Sequence, residues 1–170
     1  MSGGDHDFAE FVAARGTSLL RVAYLACGDA AEAEDVLQTA LERTYRNWDR
    51  VRRDSPEPYV RRAIINLSIS RARRRAILSI VPVHSPPERA ARAVDADLRH
   101  VLMEALRALP PRQRAVIVLR YWEDLSEQQT AEVLGCSAGT VKSQASKAVA
   151  KLRAALGDEE LEGVMRSAHA

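Results

Sequence analysis

Apolar residues recur at helical spacing along most of this chain, and the clearest run lies between Ala33 and Trp48. In this run they occupy positions i, i+3, i+4 and i+7 over four turns, which is the pattern of a helix that buries one face. No stretch shows the alternation that is typical of a β-strand, and no internal repeat is present. The sequence therefore predicts an all-α protein.

A proline-containing stretch divides the helical pattern into two parts. Pro82, Pro86 and Pro87 lie in a segment without an apolar stripe, and proline disfavours helix at its own and the preceding position. We therefore expect two small helical domains, an N-terminal helical bundle and a C-terminal four-helix domain, joined by a linker. The predicted boundaries are 1–78 for the first domain, 79–96 for the linker, 97–156 for the second domain and 157–170 for a frayed acidic tail.

The second domain contains the pattern of a helix-turn-helix. A small residue marks the close approach of two helices, a glycine marks the bend, and a branched residue anchors the second helix. These three residues are Ala131, Gly135 and Val141. Ser126 and Gln129 form the pattern of a capping box at the start of the first helix, and Ser137 is a predicted N-cap for the second.

Helical phase predicts a polar and cationic outer face on the second helix. Its apolar face consists of Val141, Ala145, Ala148 and Leu152. Its outward residues are Lys142, Ser143, Ser146, Lys147 and Lys151. Because lysines suit phosphates or guanine and serines suit either base type, this face fits the major groove of DNA. An ordinary helical hairpin with a solvated basic face is the alternative that the spacing leaves open.

Charge is segregated along the chain, although the net charge is only +2. Residues 99–156 contain nine Arg and Lys against five Asp and Glu, whereas residues 157–170 contain one Arg against four acids. A local cationic surface of this kind is typical of a nucleic-acid footprint.

A second cationic surface is predicted on the helix that starts at Ser55 and Pro56. Its arginines are Arg61, Arg62, Arg71, Arg73, Arg74 and Arg75. Such a surface can bind successive phosphates of a nucleic-acid backbone, and the affinity of such binding falls steeply as the salt concentration rises. Asn66 and Ser70 lie between the arginines. The amide of Asn66 can both donate and accept a hydrogen bond, and an asparagine at such a position can also cap a helix or bridge two helices inside the bundle.

The remaining composition excludes several classes of protein. The histidines and the two cysteines are scattered without metal-ligand spacing, so we expect no metal and no other cofactor. No convergent set of His, Cys and carboxylates indicates catalysis, and the acids Glu32, Glu34 and Asp35 are typical of a helix start. The polar N-terminus is unlike a signal peptide, and the apolar runs are too short to span a bilayer. We therefore expect a soluble, cytoplasmic protein.

Three segments, in this order, resemble a bacterial RNA polymerase sigma factor of the two-domain extracytoplasmic-function type. AEDVLQTALERTYRNW is similar to the segment that these proteins place on the clamp helices of the polymerase. YVRRAIINLSISRARRR is similar to the segment that binds the −10 promoter element. The stretch from LRALPPRQRAVIVLRYW to VKSQASKAVAKLRA is similar to the −35-binding domain.

The resemblance implies a role for residues on each segment. Contact with the polymerase is implied for Asp35, Gln38 and Leu41, of which Leu41 also fits the buried stripe. Contact with the −10 element is implied for Arg62, Asn66, Ser70, Arg71 and Arg74. Contact with the −35 element is implied for Lys142, Ser143, Ser146, Lys147 and Lys151. The chain departs from the family pattern at Leu41, where Phe is common, and at Tyr59, where Trp is common.

The same resemblance implies three partners, namely core RNA polymerase, promoter DNA and an anti-sigma protein, with no small-molecule substrate and no membrane insertion. It also implies a specificity subunit of the polymerase that is not itself an enzyme. A stand-alone helix-turn-helix repressor or activator is the alternative, since such a protein needs only duplex binding. The arginine-rich predicted helix that carries Asn66 argues against this alternative.

Overall fold

The computed structural model describes residues 3–78 and 93–167, and every regular element in these ranges is helical. The helices are α1 (Gly3–Cys27), α2 (Ala30–Arg46), α3 (Trp48–Val51), α4 (Pro56–Leu78), α5 (Ala93–Ala108), α6 (Pro111–Ile117), α7 (Glu127–Leu134), α8 (Ala138–Leu156) and α9 (Asp158–Ser167). Within these ranges, no helix is long and apolar enough to cross a membrane, and no group of His, Cys, Asp and Glu could hold a metal ion. The all-α prediction is confirmed.

In the N-terminal domain, α1, α2 and α4 pack around a common core. The side chain of Asp29 starts α2, because its Oδ1 accepts a hydrogen bond from the N–H of Glu32 at 2.9 Å. The stripe that the sequence predicts on α2 is buried at Ala33, Val36, Ala40 and Thr44. The short helix α3 completes the domain with Trp48, whose ring meets that of Phe8 edge to face at a centroid distance of 5.0 Å.

In the C-terminal domain, α6, α7 and α8 pack together, and α5 and α9 pack on α8. The end of α6 widens into a π-helical turn, Val118–Trp122. There the N–H of Glu123 donates to the carbonyl of Val118, five residues back, at 3.0 Å. Asp124 follows with a φ of 50°, and two residues later Ser126 is the N-cap of α7. The wide turn therefore redirects the chain from α6 into α7.

The acidic end of the chain is helical where the sequence predicts a frayed tail, so that prediction is wrong for residues 158–167. This segment forms α9, which packs on α8 with Leu161 only 4% exposed and Met165 half-buried. Asp158 also pairs with Arg153 of α8 at 2.6 Å. The apolar anchors are few and one turn apart, which is why the segment reads as a solvated tail.

The two domains pack directly against each other. α1 and α4 of the N-terminal domain contact helices of the C-terminal domain, among them α6. The buried apolar side chains form one cluster that runs from Leu19 to Leu161. The predicted linker, 79–96, lies outside the described residues as far as position 92, and Ala93 is already the first residue of α5.

Replacing Val141 by aspartate is expected to unfold the C-terminal domain. Val141 is 0% exposed, and an unpaired carboxylate at such a site costs several kcal/mol. Thermal unfolding followed by circular dichroism should show a much lower midpoint or a lost transition. Ala150→Asp introduces the same carboxylate at an exposed position of α8 and should melt close to wild type. Equal losses in the two variants would contradict the role of burial.

The thiol of Cys27 is expected to resist alkylation in the folded protein. Burial raises the pKa of Cys27 to about 12, so the reactive thiolate is scarce at mildly alkaline pH. Iodoacetamide labelling followed by peptide mass spectrometry should modify the half-buried Cys136 but leave Cys27 intact. Both thiols should react in guanidinium chloride. Rapid labelling of Cys27 without denaturant would contradict its burial.

Candidate nucleic-acid and polymerase interfaces

The turn between α7 and α8 has the local geometry that the sequence predicts for a helix-turn-helix. The N–H of Gln129 donates to Oγ of Ser126 at 3.1 Å, and the N–H of Ser126 donates to Oε1 of Gln129 at 2.8 Å. α7 ends at Gly135, whose φ of 62° and ψ of 43° are left-handed and favour glycine. Oγ of Ser137 accepts from the N–H of Thr140 at 3.1 Å and starts α8. The predicted capping box, bend and N-cap are confirmed.

The apolar side of α8 is buried at Val141, Ala148 and Leu152, which turns the opposite side toward solvent. All the residues that the sequence predicts for this outer face are exposed, namely Lys142, Ser143, Ser146, Lys147 and Lys151. Lys142, Lys147 and Lys151 are the only lysines of the chain. Within the described residues no ion pair engages them, whereas the neighbouring cation, Arg153, pairs with Asp158. The outer face of α8 is therefore a row of solvated ammonium groups and hydroxyls.

Four predicted residues on α4 form one exposed row. Their spacing of four residues makes them a continuous ridge on the helix. They are Arg62, Asn66, Ser70 and Arg74. Tyr59, which is 41% exposed, and Arg73 extend the same surface. An amide that both donates and accepts is thus flanked by exposed cations.

Arg71 does not share this ridge, although it belongs to the same predicted set. It is half-buried between α4 and α2, where its Nη2 donates to Oγ1 of Thr39 at 3.3 Å. Its Nη1 lies 3.8 Å from Oδ2 of Asp35. One turn further, Arg75 pairs with Glu32 at the start of α2. The structure thus brings together Asp35, which was predicted to contact the polymerase, and Arg71, which was predicted to contact the −10 element. Arg71 and Arg75 both fasten α4 to α2.

The residues predicted for the polymerase lie beside an apolar groove on α2. Asp35 and Gln38 are exposed, and Nε2 of Gln38 donates to Oε1 of Glu42 at 3.3 Å. Leu41 is half-buried and packs against the core with one side while its other side lines the groove. The groove has a volume of about 480 Å³ and is lined by Phe8, Leu20, Glu34, Leu37, Gln38, Leu41, Glu42 and Tyr45.

Sequence reasoning missed the α1 side of this groove. Phe8 and Leu20 supply that wall, and the 48% exposed Tyr45 adds an aromatic ring from α2. The hydroxyl of Tyr45 donates to Oδ1 of Asp5 at 2.6 Å, and this hydrogen bond raises the pKa of Tyr45. An exposed ring at the end of an otherwise buried stripe is the signal that could have indicated a surface role.

Two family models match the chain over the two domains described above. The model described as Sigma-70 region 2 matches residues 11–77, and the model described as Sigma-70, region 4 matches residues 99–152. The first match includes the groove helix α2 and the exposed ridge of α4. The second match ends within α8, so α9 lies beyond it.

Named relatives resemble the chain over nearly its whole length. The RNA polymerase sigma-E factor of Streptomyces coelicolor is 42% identical over 161 residues, which cover 92% of this chain and 89% of that protein. The ECF RNA polymerase sigma factor SigW of Bacillus subtilis is 31% identical to this chain. The matched region covers 91% of this chain and 92% of SigW. The sigma factor RpoE of Bartonella quintana, solved in complex with the anti-sigma factor NepR, has a TM-score of 0.72 at 25% identity, covering 92% of this chain and 97% of that one. The chain therefore belongs to the sigma-70 family of RNA polymerase sigma factors, in its extracytoplasmic-function group.

Proposed function

We propose that this sigma factor binds one promoter through two separate cationic faces, on α4 and on α8, while the groove side of α2 is bound to core RNA polymerase. The observation that carries the proposal is that each domain has an exposed row of polar and basic side chains, on α4 in one domain and on α8 in the other. A repressor that binds only duplex DNA needs the second row but not the first. The sequence matches to both sigma regions also disfavour that alternative.

The outer face of α8 contacts the −35 element in the major groove. Ser143 and Ser146 bind base edges, and the three lysines bind phosphates or guanine. A lysine is a compact charge that cannot form the two parallel hydrogen bonds of an arginine fork. Phosphate contacts therefore carry most of the affinity at this element, and base discrimination by each lysine is modest.

The ridge of α4 contacts the −10 element where its strands separate. Asn66 binds the edge of an unstacked base, because its amide offers both a donor and an acceptor. Arg62 and Arg74 lie one and two turns away on the same ridge and bind phosphates on either side. Arg71 acts indirectly, since it holds α4 against α2 through Thr39.

The α2 groove receives apolar side chains from the polymerase. Gln38 and Leu41 are among its lining residues, and the carboxylates of Glu34 and Glu42, which also line it, favour a basic partner segment. Asp35 faces outward beside them while its carboxylate also attracts Arg71. The polymerase contact and the −10 ridge are thus joined through one pair of helices.

The remaining partners follow from the family. Because the Bartonella sigma factor was solved with an anti-sigma factor, we extend a partner of that class to this chain. The protein acts as a non-catalytic specificity subunit, in the cytoplasm where the polymerase and promoter DNA are found. Its binding partners are macromolecules, and no small-molecule substrate is proposed.

Run-off transcription tests the proposal directly. The full-length protein is mixed with core RNA polymerase of its own organism and a library of genomic promoter fragments. Transcripts that require the added protein support the proposal, and their start sites give the −10 and −35 sequences. Sequence-specific duplex binding without any such transcript would favour the stand-alone repressor instead.

The double substitution Lys142→Ala and Lys147→Ala is expected to weaken binding to a −35 duplex and to flatten its salt dependence. Each phosphate contact removed lowers the slope of log affinity against log salt by about one. Fluorescence anisotropy over a salt series measures both quantities. Arg99→Ala removes an exposed cation from α5 of the same domain and is the matched control. An equal change in slope for the control would contradict a specific role of α8.

The double substitution Gln38→Ala and Leu41→Ala is expected to lower affinity for core polymerase about tenfold, the scale of a central interface contact. Biolayer interferometry with immobilised core polymerase gives the affinity. Arg43→Ala is the control, since Arg43 is exposed on the same helix about 140° around from Gln38. Loss of affinity in the control alone would place the polymerase on the other side of α2.

A further inference from the structure

The helix α8 is longer than the groove that it would enter. Its 19 residues span about 28 Å, whereas the major groove of B-DNA is about 12 Å wide. In helix-turn-helix proteins the N-terminal residues of the recognition helix contact the base edges, and in homeodomains its C-terminal end contacts the backbone. A cation in the C-terminal half of α8 is therefore placed to bind a phosphate and not a base.

Arg153 is an exposed cation in that half of α8, with 57% of its side chain exposed. It follows Lys142 by eleven residues and Ser146 by seven. At about 100° per residue, it lies within about 20° of both around the helix axis. Arg153 thus extends the outer face by about 16 Å along the helix from Lys142. The sequence prediction for this face ends at Lys151 and does not include Arg153.

A carboxylate from α9 occupies the guanidinium of Arg153. Nε of Arg153 lies 2.6 Å from Oδ1 of Asp158, the first residue of α9. Carboxylate and phosphate oxygens both accept charge-assisted hydrogen bonds from a guanidinium. Asp158 therefore holds the group that a DNA phosphate would otherwise bind.

The junction between the two helices keeps Asp158 in this position. Gly157 alone separates α8 from α9, and its φ of 83° favours glycine. Its N–H donates to the carbonyl of Arg153 at 2.9 Å, and its carbonyl accepts from the N–H of Leu161 at 3.2 Å. Leu161 is buried and anchors α9 on α8. Both members of the pair lie beyond the Sigma-70, region 4 match, which ends at residue 152.

DNA can displace this carboxylate at a small cost. The side chain of Asp158 is 75% exposed, and exposed ion pairs change an equilibrium constant by up to about fivefold. Release of condensed counterions from DNA favours the exchange of carboxylate for phosphate. Because phosphate contacts do not depend on the base sequence, the cost is the same for every duplex. The pair therefore lowers DNA affinity without changing sequence preference.

We propose that Arg153 is a further phosphate-binding residue of the outer face of α8, and that Asp158 of α9 holds its guanidinium until DNA displaces the carboxylate. This inference rests on the proposed function, because it requires α8 to bind DNA. It gives α9 a role in that binding, since α9 supplies the anion that competes with the phosphate.

The first test removes the cation from the full-length protein. Fluorescence anisotropy over a salt series is measured with a −35 duplex and with an unrelated duplex of equal length. Arg153→Ala, which keeps a strong helix former on α8, should lower the slope of log affinity against log salt by about one on both duplexes. Arg153→Lys retains the charge and should keep the slope. An unchanged slope for Arg153→Ala would overturn the phosphate contact.

The second test removes the competing anion. Asp158→Asn should tighten binding to both duplexes about threefold, within the range of an exposed ion pair. Glu160→Gln is the matched control, because Glu160 is an exposed acid of the same helix that forms no ion pair within the described residues. Asp158→Asn should have no larger effect than this control when Arg153 is already Ala. Equal tightening with and without Arg153, or no tightening at all, contradicts the hold by Asp158.

The lysines of α8 separate failure of this inference from failure of the proposed function. If Lys142→Ala with Lys147→Ala flattens the salt dependence and Arg153→Ala does not, the inference alone is wrong. If the wild-type protein shows no salt-dependent binding to either duplex, α8 does not bind DNA, and the proposed function fails together with the inference.

Discussion

Carbonyl groups at helix ends have no partner within their own helix, and in this protein arginine side chains supply several of the missing donors. Arg114 donates to carbonyls at the ends of two helices, α1 and α5, while Arg112 donates to the carbonyl of Leu134 at the end of α7 at 3.3 Å. Arg120 serves a carbonyl outside the helices in a similar way, because it donates to Leu125 in the connection that leads into α7. The planar guanidinium of arginine suits such sites, because its five N–H donors point in different directions and can reach carbonyls that diverge at a helix end. Close packing of short helices would otherwise bury unpaired polar groups.

The chain uses its two kinds of cation differently. Of its 25 Arg and Lys residues, the three lysines all lie on the outer face of α8 and the rest are arginines. Arg71 and Arg75 fasten α4 to α2, whereas Arg62 and Arg74 remain exposed on the other side of the same helix. One arginine-rich segment therefore both stabilises the N-terminal domain and presents a cationic ridge. The number of cations in the segment does not show which arginines stabilise the domain and which remain exposed.

Features that depend on neighbouring residues could be predicted from the sequence, and features that depend on distant ones could not. The caps at Ser126 and Ser137 are local, because donor and acceptor are three residues apart. The contact of Arg114 with Ala26 joins residues 88 positions apart, and no periodicity encodes it. The α1 wall of the groove on α2 was missed for the same reason. The helix α9 was missed because its few buried side chains, Leu161 foremost, lie among acids.

The confinement of lysine to one helix face gives this protein an unusual chemical asymmetry. Side-chain amines are the targets of acetylation and of amine-directed coupling reagents, and here every such amine lies on the outer face of α8. Acetylation removes the charge of a lysine, so each modified side chain would subtract directly from the charge of that face. Attachment to an amine-coupling surface would likewise orient the molecule with α8 toward the support. Apart from the terminal amine, a general amine reagent thus acts on this sigma factor as a site-directed one.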